Sequence, residues 1–244
     1  VDGDTPYLVM ELLHGEDLGA RLRREGHLSL ETTARLVLSI AKGLRRAHEA
    51  GIVHRDLKPA NVFLTRADDD EIVQILDFGI AKLLRAAPDA ESERTATGVV
   101  MGSIHYMSPE QARGFRDADH RSDVWSLGVI AYRALTGELP FPGDEVGDVI
   151  VKVCTDPMPP ASPRIRALDP AVGRKLDKLF ARALAKNPAE RFQSARDLAH
   201  ALCTIAGLET EAPTTSAPAL PAPGSPSDSD PDAATRTDAI PGLA

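Results

Sequence analysis

The sequence predicts an α+β fold that is mainly helical, with short β-hairpins and a disordered C-terminal tail. Apolar residues recur at helical spacing in several long stretches, and short β-prone runs at residues 7–11 and 62–76 are broken by polar turns. Beyond Leu208 the composition shifts to Pro, Ala, Ser, Thr and Asp, which cannot bury enough apolar area to order the chain. We therefore expect a folded domain over residues 1–208 and a disordered linker over 209–244.

Composition narrows the class of protein. The 244 residues are 43% hydrophobic, enough for a sizeable core, and the net charge of -8 argues against a nucleic-acid partner. No apolar run approaches the roughly 18 residues of a membrane span, and no leader pattern precedes residue 7. Cys154 and Cys203 have no metal-ligand spacing, so we expect two core thiols in a reducing cytoplasm.

The first elements are a strand and a long helix. Residues 7–11 form a β-prone run, which a turn at His14 and Gly15 should end. Ser29 is a good N-cap, and apolar residues continue at helical spacing until Gly51, which supplies a C-terminal stop. The pattern predicts a buried strand that leads into a long amphipathic helix.

A hairpin and a long loop follow. The β-prone runs 62–64 and 72–76 flank an acidic turn at 68–71, which predicts a small antiparallel arrangement over the long helix. Residues 82–102 show no steady period and should form a long exposed loop, and such loops are usually functional.

Four more helices are expected. Residues 123–135 are apolar nearly all round and end at Gly137, which predicts a helix buried on every side. The other three run from Glu145 to Cys154, from Asp169 to about Asn187 and Pro188, and from Ser194 to Gly207. Asp169 and Ser194 stand at the N-cap positions of the last two.

The stretch 54–61, His-Arg-Asp-Leu-Lys-Pro-Ala-Asn, suits the movement of a phosphoryl group. That chemistry needs metal ions that bridge the phosphates, a cation for developing charge, and a carboxylate that orients the hydroxyl and accepts its proton. Asp56 can be this carboxylate and Lys58 the cation. Asn61 and Asp77 carry oxygen ligands of the kind that Mg²⁺ prefers. His54 is expected to pack against Phe78 rather than bind metal, and the histidines outside this stretch show no clustering.

At this point the chain resembles the C-terminal lobe of a eukaryotic-type protein kinase over nearly all of residues 5–206. The resemblance rests on an ordered set of motifs at family spacing, which implies a protein-kinase-like fold that uses ATP and Mg²⁺. The motifs are the catalytic loop His54 to Asn61, the metal-binding triplet Asp77-Phe78-Gly79, Ser108-Pro109-Glu110 in place of Ala-Pro-Glu, the run Asp123 to Gly128, and Arg191.

The same resemblance implies structural roles for three residues. Glu110 pairs with Arg191 in the family. Asp123 holds the backbone of the catalytic loop, although its place at a helix start also suits the helix dipole without any such role.

Substrate class follows from the family's Ser/Thr members, which carry a Lys two residues after the catalytic Asp, as Lys58 does here. Ser103 stands where those members have Thr and keeps the hydroxyl. Residues 106–114 are similar to bacterial Ser/Thr kinases of the sensor type, which act in signalling. The implied substrates are Ser and Thr hydroxyls of proteins. In these relatives a Pro-rich linker leads towards a membrane span, so the full-length protein is expected to be anchored beyond the tail.

Regulation is implied at Arg55, which in the family gathers a phosphorylated activation loop through bidentate phosphate binding. Thr95 and Thr97 stand where bacterial relatives autophosphorylate, and Ser92 is a third hydroxyl of the same loop. The alternative is that these are plain loop hydroxyls.

The resemblance also assigns the nucleotide contacts. Met10 is the gatekeeper behind the adenine, and Glu11 and Leu13 belong to the hinge. Asp17 would contact the ribose, and Phe63 would lie beneath the adenine. Without the family, Met10 and Phe63 would be interpreted as core.

The family's Gly-rich loop, strand lysine and partner glutamate have no candidate in the six residues before Tyr7. Two explanations compete: a fragment of a longer kinase, or a kinase lobe that binds partners without catalysis. We expect the chain by itself to lack kinase activity, because half of the ATP cleft is absent.

Overall fold

The computed structural model describes residues 11–67, 70–78, 102–114 and 118–209. All of these belong to the first of two units of the chain, residues 1–210 and 211–244. Residues 7–10 of the predicted strand 7–11, nearly all of the predicted loop 82–102 and residues 210–244 of the predicted linker 209–244 fall outside the described residues, and Glu11 is not in a strand.

The elements that lie wholly within these ranges form one small sheet and a set of helices. They are β1 (Gly15–Asp17), α1 (Leu18–Glu25), α2 (Leu30–Glu49), β2 (Val62–Ala67), β3 (Asp70–Ile75), α3 (Pro109–Ala112), α4 (Arg121–Thr136), α5 (Val146–Thr155), α6 (Pro170–Ala183) and α7 (Ala195–Ala206), with 3₁₀ turns at Pro59–Asn61, Ser162–Arg164 and Pro188–Glu190.

The sheet is antiparallel in the order β1-β2-β3. Gly15 pairs with Thr65 and starts β1, so the predicted turn at His14 and Gly15 is wrong at Gly15. A Cβ at Gly15 would lie 2.0 Å from the carbonyl oxygen of Leu64, and the φ of 153° also favours glycine. The glycine therefore allows β1 and β2 to approach closely, and it does not terminate a strand.

The hairpin β2-β3 is confirmed, but it is longer than predicted. The acidic turn predicted at 68–71 is wrong at Asp70 and Glu71, which belong to β3 and pair with Ala67 and Arg66. The exposed carboxylate of Glu71 also accepts a 2.5 Å hydrogen bond from Arg21 of α1.

The core is built around α4, whose residues are buried on nearly every side, as predicted. The helix ends at Gly137 in a left-handed conformation, with its N–H bonded to the carbonyl of Arg133 at 2.8 Å. The apolar stripe of α2 packs between α4 and α7. Trp125 and Tyr132 are the largest aromatic side chains of this buried face.

Local capping explains several of the helix bounds. Ser29 accepts from the Thr32 amide, Asp169 from the Ala171 and Val172 amides, and Ser194 from the Asp197 amide. The predictions of these three N-caps are confirmed.

The end of α6 differs from the prediction. The helix stops at Ala183, four residues before Asn187, whose ψ of 120° is extended. Pro188 keeps Asn187 out of helical geometry, because a proline disfavours that geometry in the residue before it, so the helix cannot reach the predicted end. Residues 188–190 then form a separate 3₁₀ turn.

The short helices α1 and α3 are not predicted by the sequence pattern. Asp17 caps α1 by accepting from the Ala20 amide at 2.9 Å, and Gly26 ends it. Ser108 and Gln111 form a capping box around α3. Asp17 and the run Ser108-Pro109-Glu110-Gln111 are recognisable N-cap signals in the sequence. Both helices are nevertheless too short to show a clear apolar period.

None of the helices that the structure describes is both long and apolar enough to cross a lipid bilayer. Cys203 is buried as expected, whereas Cys154 is only half-buried. Cys154 lies in the last turn of α5, where its thiol contacts the carbonyl of Pro109 at 3.9 Å.

Candidate active site

Asp123 holds the start of the 54–61 loop from the first turn of α4. Its Oδ2 accepts from the amide of His54 at 2.8 Å, and its Oδ1 accepts from the amide of Arg55 at 2.9 Å. The Asp123 residue is fully buried. The N-terminal end of α4 adds a favourable dipole for this carboxylate. One side chain therefore fixes two successive peptide groups before Asp56.

His48 is a third partner of this carboxylate, and sequence analysis missed it. Its Nε2 lies 2.8 Å from Oδ2 of Asp123, and its ring stands 5.4 Å from the ring of His120. The expectation that the histidines outside the loop show no clustering is therefore wrong for His48 and His120. No local signal could find the pair, because His48 is 75 residues from Asp123 and meets it only where α2 packs on α4.

Arg55 adopts a left-handed backbone with φ of 64°. For a residue other than glycine this conformation costs roughly 1–3 kcal/mol and persists only where the surroundings hold it. The amide of Arg55 is held by Asp123, and its carbonyl accepts from the side chain of Gln111 at 2.7 Å. The side chain of Arg55 is exposed towards solvent.

His54 links the loop to the end of the hairpin. Its Nε2 donates to the carbonyl of Leu76 at 2.9 Å, and its Nδ1 accepts from the amide of Asp56 at 3.3 Å. These two bonds assign the neutral form with the proton on Nε2. The ring is buried and packs against Phe78 at 5.0 Å, so the structure places His54 against the residue that we predicted.

Asp56, Lys58 and Ser103 form the polar centre of the site. The Nζ of Lys58 donates to Oδ2 of Asp56 at 2.9 Å and to Oγ of Ser103 at 2.6 Å. Both Asp56 and Lys58 are partly exposed, with side-chain exposures of 36% and 18%. The arrangement places a carboxylate and a cation side by side at an open surface. The cation, Lys58, is also bound to Ser103, which follows the predicted loop 82–102.

Asn61 and Asp77 are neighbours through the backbone, because the amide of Leu76 donates to the carbonyl of Asn61 at 2.9 Å. The Nδ2 of Asn61 donates to the carbonyl of Asp56 at 2.9 Å, which leaves its Oδ1 as an acceptor. Asp77 is exposed and has a φ of 54°. These backbone bonds bring Asn61, Asp56 and the segment that carries Asp77 together where the loop meets the end of the hairpin.

The described residues contain no group of three or more His, Cys, Asp or Glu side chains that could hold a metal ion by themselves. A cation at Asn61 and Asp77 would need further oxygen ligands from water or phosphate, as is usual for Mg²⁺. The donor set fits Mg²⁺ on that condition.

Glu110 and Arg191 form a buried ion pair, and Arg191 also donates to the carbonyl of Arg121 at the start of α4. Burial opposes ionisation of Glu110, but the hydrogen bonds and charge of Arg191 outweigh it and hold the pKa of this carboxyl below its ordinary value. Arg191 also stacks over Trp125, with its guanidinium carbon 4.9 Å from the ring centroid. The pair ties α3 to the segment between α6 and α7.

The predicted nucleotide residues are partly described. The register of β1 and β2 sets Asp17 opposite Phe63, which brings two of them together. Asp17 also caps α1, a role that the sequence analysis does not predict. Glu11 is exposed, Leu13 is half-buried, and both lie in irregular backbone before β1. Met10, Thr95 and Thr97 lie outside the described residues.

The comparisons with known proteins agree on one family. A profile described as "Protein kinase domain" matches residues 1–203. The serine/threonine-protein kinase PknA of Mycobacterium tuberculosis is 42% identical over 214 residues, which are 87% of this chain and 46% of PknA. The serine/threonine-protein kinase pkn3 of Myxococcus xanthus is 42% identical over 190 residues, which are 78% of this chain and 34% of pkn3. This chain thus spans less than half the length of these curated relatives.

A solved structure supports the same fold. The crystal structure of the Mycobacterium tuberculosis PknI kinase domain aligns with a TM-score of 0.57 at 27% identity, over 80% of this chain and 64% of that chain. Together with the profile match over residues 1–203, this shows that the chain belongs to the protein kinase family.

Proposed function

We propose that the chain is the catalytic lobe of a serine/threonine protein kinase, which transfers the γ-phosphoryl group of Mg·ATP to Ser or Thr hydroxyls of proteins. The observation that carries this proposal is the contact of Lys58 with both Asp56 and Ser103 at 2.9 and 2.6 Å. A carboxylate beside a cation at an open surface suits a reaction that depends on positioning and charge stabilisation.

Asp56 is the residue that orients the substrate hydroxyl and accepts its proton. The peptide groups before it are fixed by Asp123, and its own carbonyl is held by Asn61, so its carboxylate needs little reorganisation. Lys58 neutralises charge on the transferred group. Because Lys58 already contacts Asp56 and Ser103, an incoming phosphate would meet a cation whose position is set in advance.

Asn61 and Asp77 would hold Mg²⁺, which supplies charge neutralisation and orientation of the phosphates. ATP would rest on the surface formed by Glu11, Leu13 and Phe63, with Asp17 near the ribose and Met10 behind the adenine. The Asp17 carboxylate keeps its N-cap bond in this arrangement, since a carboxylate can accept several hydrogen bonds.

Substrate class rests on Lys58, on Ser103 and on the names of the Ser/Thr kinase relatives. For regulation we propose autophosphorylation at Thr95 and Thr97, with the phosphate bound by Arg55. A Thr95→Ala, Thr97→Ala double variant should lower activity in the longer protein, and unchanged activity would contradict this role. A cytoplasmic site of action and an anchor beyond the tail are parts of the same proposal.

The test begins with the reading frame upstream of Val1. An intact kinase requires that frame to encode a Gly-rich loop and a strand lysine. The extended chain should then transfer label from [γ-³²P]ATP to itself and to a generic Ser/Thr protein substrate in the presence of Mg²⁺. The Asp56→Asn variant should reduce the rate by at least about 100-fold, because general-base and orientation effects of this size are typical.

The 244-residue chain serves as the matched control and should show no transfer. Robust Mg·ATP-dependent transfer by this chain that Asp56→Asn abolishes would show that the upstream lobe is dispensable. Full activity of the extended Asp56→Asn variant would contradict the assignment of Asp56. A start codon at the head of this lobe, with binding to a full kinase and no turnover, would instead favour a non-catalytic binding module.

A further inference from the structure

The side-chain amide of Gln111 connects α3 to the catalytic loop. Its Oε1 accepts from the amide of Ser108 at 3.1 Å and lies 3.2 Å from the Ser108 hydroxyl. Its Nε2 donates to the carbonyl of Arg55 at 2.7 Å, across 56 residues of sequence. A backbone N–H can only donate and a carbonyl can only accept, so these two contacts assign the orientation of the amide.

The carbonyl that Gln111 binds belongs to the peptide group between Arg55 and Asp56. The N–H of this same peptide group donates to Nδ1 of His54 at 3.3 Å. The plane of the peptide that leads into Asp56 is therefore held at both ends by side chains. These two bonds oppose separate changes of ψ at Arg55 or of φ at Asp56, either of which would reorient the Asp56 side chain.

The conformation at this point needs such support. Arg55 has a φ of 64°, and its own amide is bound by Asp123. A left-handed residue other than glycine returns to ordinary geometry unless its neighbours prevent it. Asp123 secures the amide side of Arg55, and Gln111 secures the carbonyl side from a different helix.

A capping role alone does not require glutamine. In a capping box the residue at the third helical position accepts from the N-cap backbone, and glutamate does this as well as glutamine. Only the amide can also donate to a carbonyl. Helix capping therefore does not explain the hydrogen bond from Gln111 to the Arg55 carbonyl.

We propose that Gln111 is a positioning residue, which couples the folded state of α3 to the orientation of the Arg55–Asp56 peptide. This inference rests on the proposed function for its catalytic consequence, because Asp56 is the residue that it orients. The geometry of the tether itself does not depend on that function.

The test uses Gln111→Glu and Gln111→Met in the 244-residue chain, with Ser108→Ala as the matched control. The glutamate keeps the capping box and loses the donor, and the methionine removes the donor without adding charge. Ser108→Ala removes the cap hydroxyl and leaves the Gln111 amide able to reach Arg55. Amide hydrogen exchange by NMR reports each position separately.

Both Gln111 variants should speed exchange at the Arg55 and Asp56 amides by about five-fold, the factor that corresponds to one ordinary hydrogen bond. Amides in the middle of α4 should not change. Ser108→Ala should lower overall stability without this selective effect. Unchanged exchange at Asp56 in both Gln111 variants, or an equal change in Ser108→Ala, would overturn the proposal.

Activity provides the second measurement. In the extended kinase, Gln111→Glu should lower kcat by about five-fold and leave the KM for ATP unchanged, since the ATP contacts are not altered. If exchange responds and Asp56→Asn has no effect on transfer, the tether stands and the proposed function fails. If exchange responds and Asp56→Asn abolishes transfer while Gln111→Glu keeps full kcat, the positioning role is wrong.

Discussion

Glu110 and Arg191 stand 81 residues apart and meet in two hydrogen bonds of 2.8 Å, Oε1 with Nη1 and Oε2 with Nη2. The remaining guanidinium N–H groups donate to backbone carbonyls of Ala185, Arg121 and Lys186. All five N–H donors of this arginine therefore have acceptors. The Arg191 residue is 1% exposed, so the pair sits where an unmatched charge would be costly.

Glu110→Ala should lower the free energy of unfolding by about 3–5 kcal/mol, because it leaves the Arg191 cation buried without its anion. Urea unfolding followed by circular dichroism measures the change. Glu31→Ala is the matched control: Glu31 pairs with Arg35 at 2.9 Å, but their side chains are 61% and 66% exposed. That change should stay within about 0.5 kcal/mol. Equal losses of stability in Glu110→Ala and Glu31→Ala would show that burial does not strengthen the effect of breaking the Glu110–Arg191 pair.

The same pair predicts a pH dependence. The pKa of Glu110 is lower in the folded chain than its ordinary value of 4.5, so its ionised form favours folding. This contribution is complete above about pH 4.5 and is lost as the pH falls through the lower folded value. The difference in Tm between the native chain and Glu110→Gln should be largest at pH 6–7 and should shrink by pH 3. A difference that stays constant from pH 7 to pH 3 would contradict this linkage.

Asp123→Asn should loosen the catalytic loop. The amide keeps the shape of the side chain, but it has a single accepting oxygen, so only one of the two backbone amides, that of His54 or that of Arg55, keeps its acceptor. We expect a loss of about 2 kcal/mol in the free energy of unfolding, the size typical of bonds to a charged acceptor.

The matched control for Asp123→Asn is Asp169→Asn. Asp169 is an exposed N-cap that accepts from the amides of Ala171 and Val172, and asparagine caps a helix equally well. This control should change stability by less than about 0.5 kcal/mol. If both substitutions are neutral in chemical denaturation, Asp123 does not hold the loop in the way that the hydrogen bonds indicate.

Gly15→Ala should break the pairing of β1 with β2. The new Cβ would meet the Leu64 carbonyl oxygen at 2.0 Å, so the strand must move away and lose its ladder bonds. We expect a cost of at least about 2 kcal/mol in thermal or urea unfolding, as for other glycines whose native conformation excludes a side chain. Gly147→Ala is the control, because a Cβ added there, in α5, would have no neighbouring atom within 4 Å. It should gain about 0.5–1 kcal/mol, and a loss there as large as at Gly15 would disprove the steric argument.

Much of the fold follows from interactions within a few residues. The N-caps Ser29, Asp169 and Ser194 act on amides two or three residues ahead, and the residues of α4 are apolar nearly all round for about four turns. Such signals are complete in a short stretch of sequence, which is why the sequence predicts these helices. The residue types of the 54–61 loop likewise indicate the proposed chemistry, since Asp56, Lys58 and Asn61 occur within six positions.

Tertiary structure decided the rest, because the contacts join residues that are far apart in sequence. Gln111 reaches Arg55 across 56 residues, and His48 reaches Asp123 across 75. Gly15 has the sequence context of a turn residue. Only the close approach of the Leu64 carbonyl explains why a glycine is needed within the strand. By itself the sequence indicated which groups are candidates for phosphoryl transfer and where the longer helices lie. Only the packing of α2, α3 and α4 decided which side chains hold the strained backbone before Asp56, since burial and hydrogen-bond direction exist only in the folded chain.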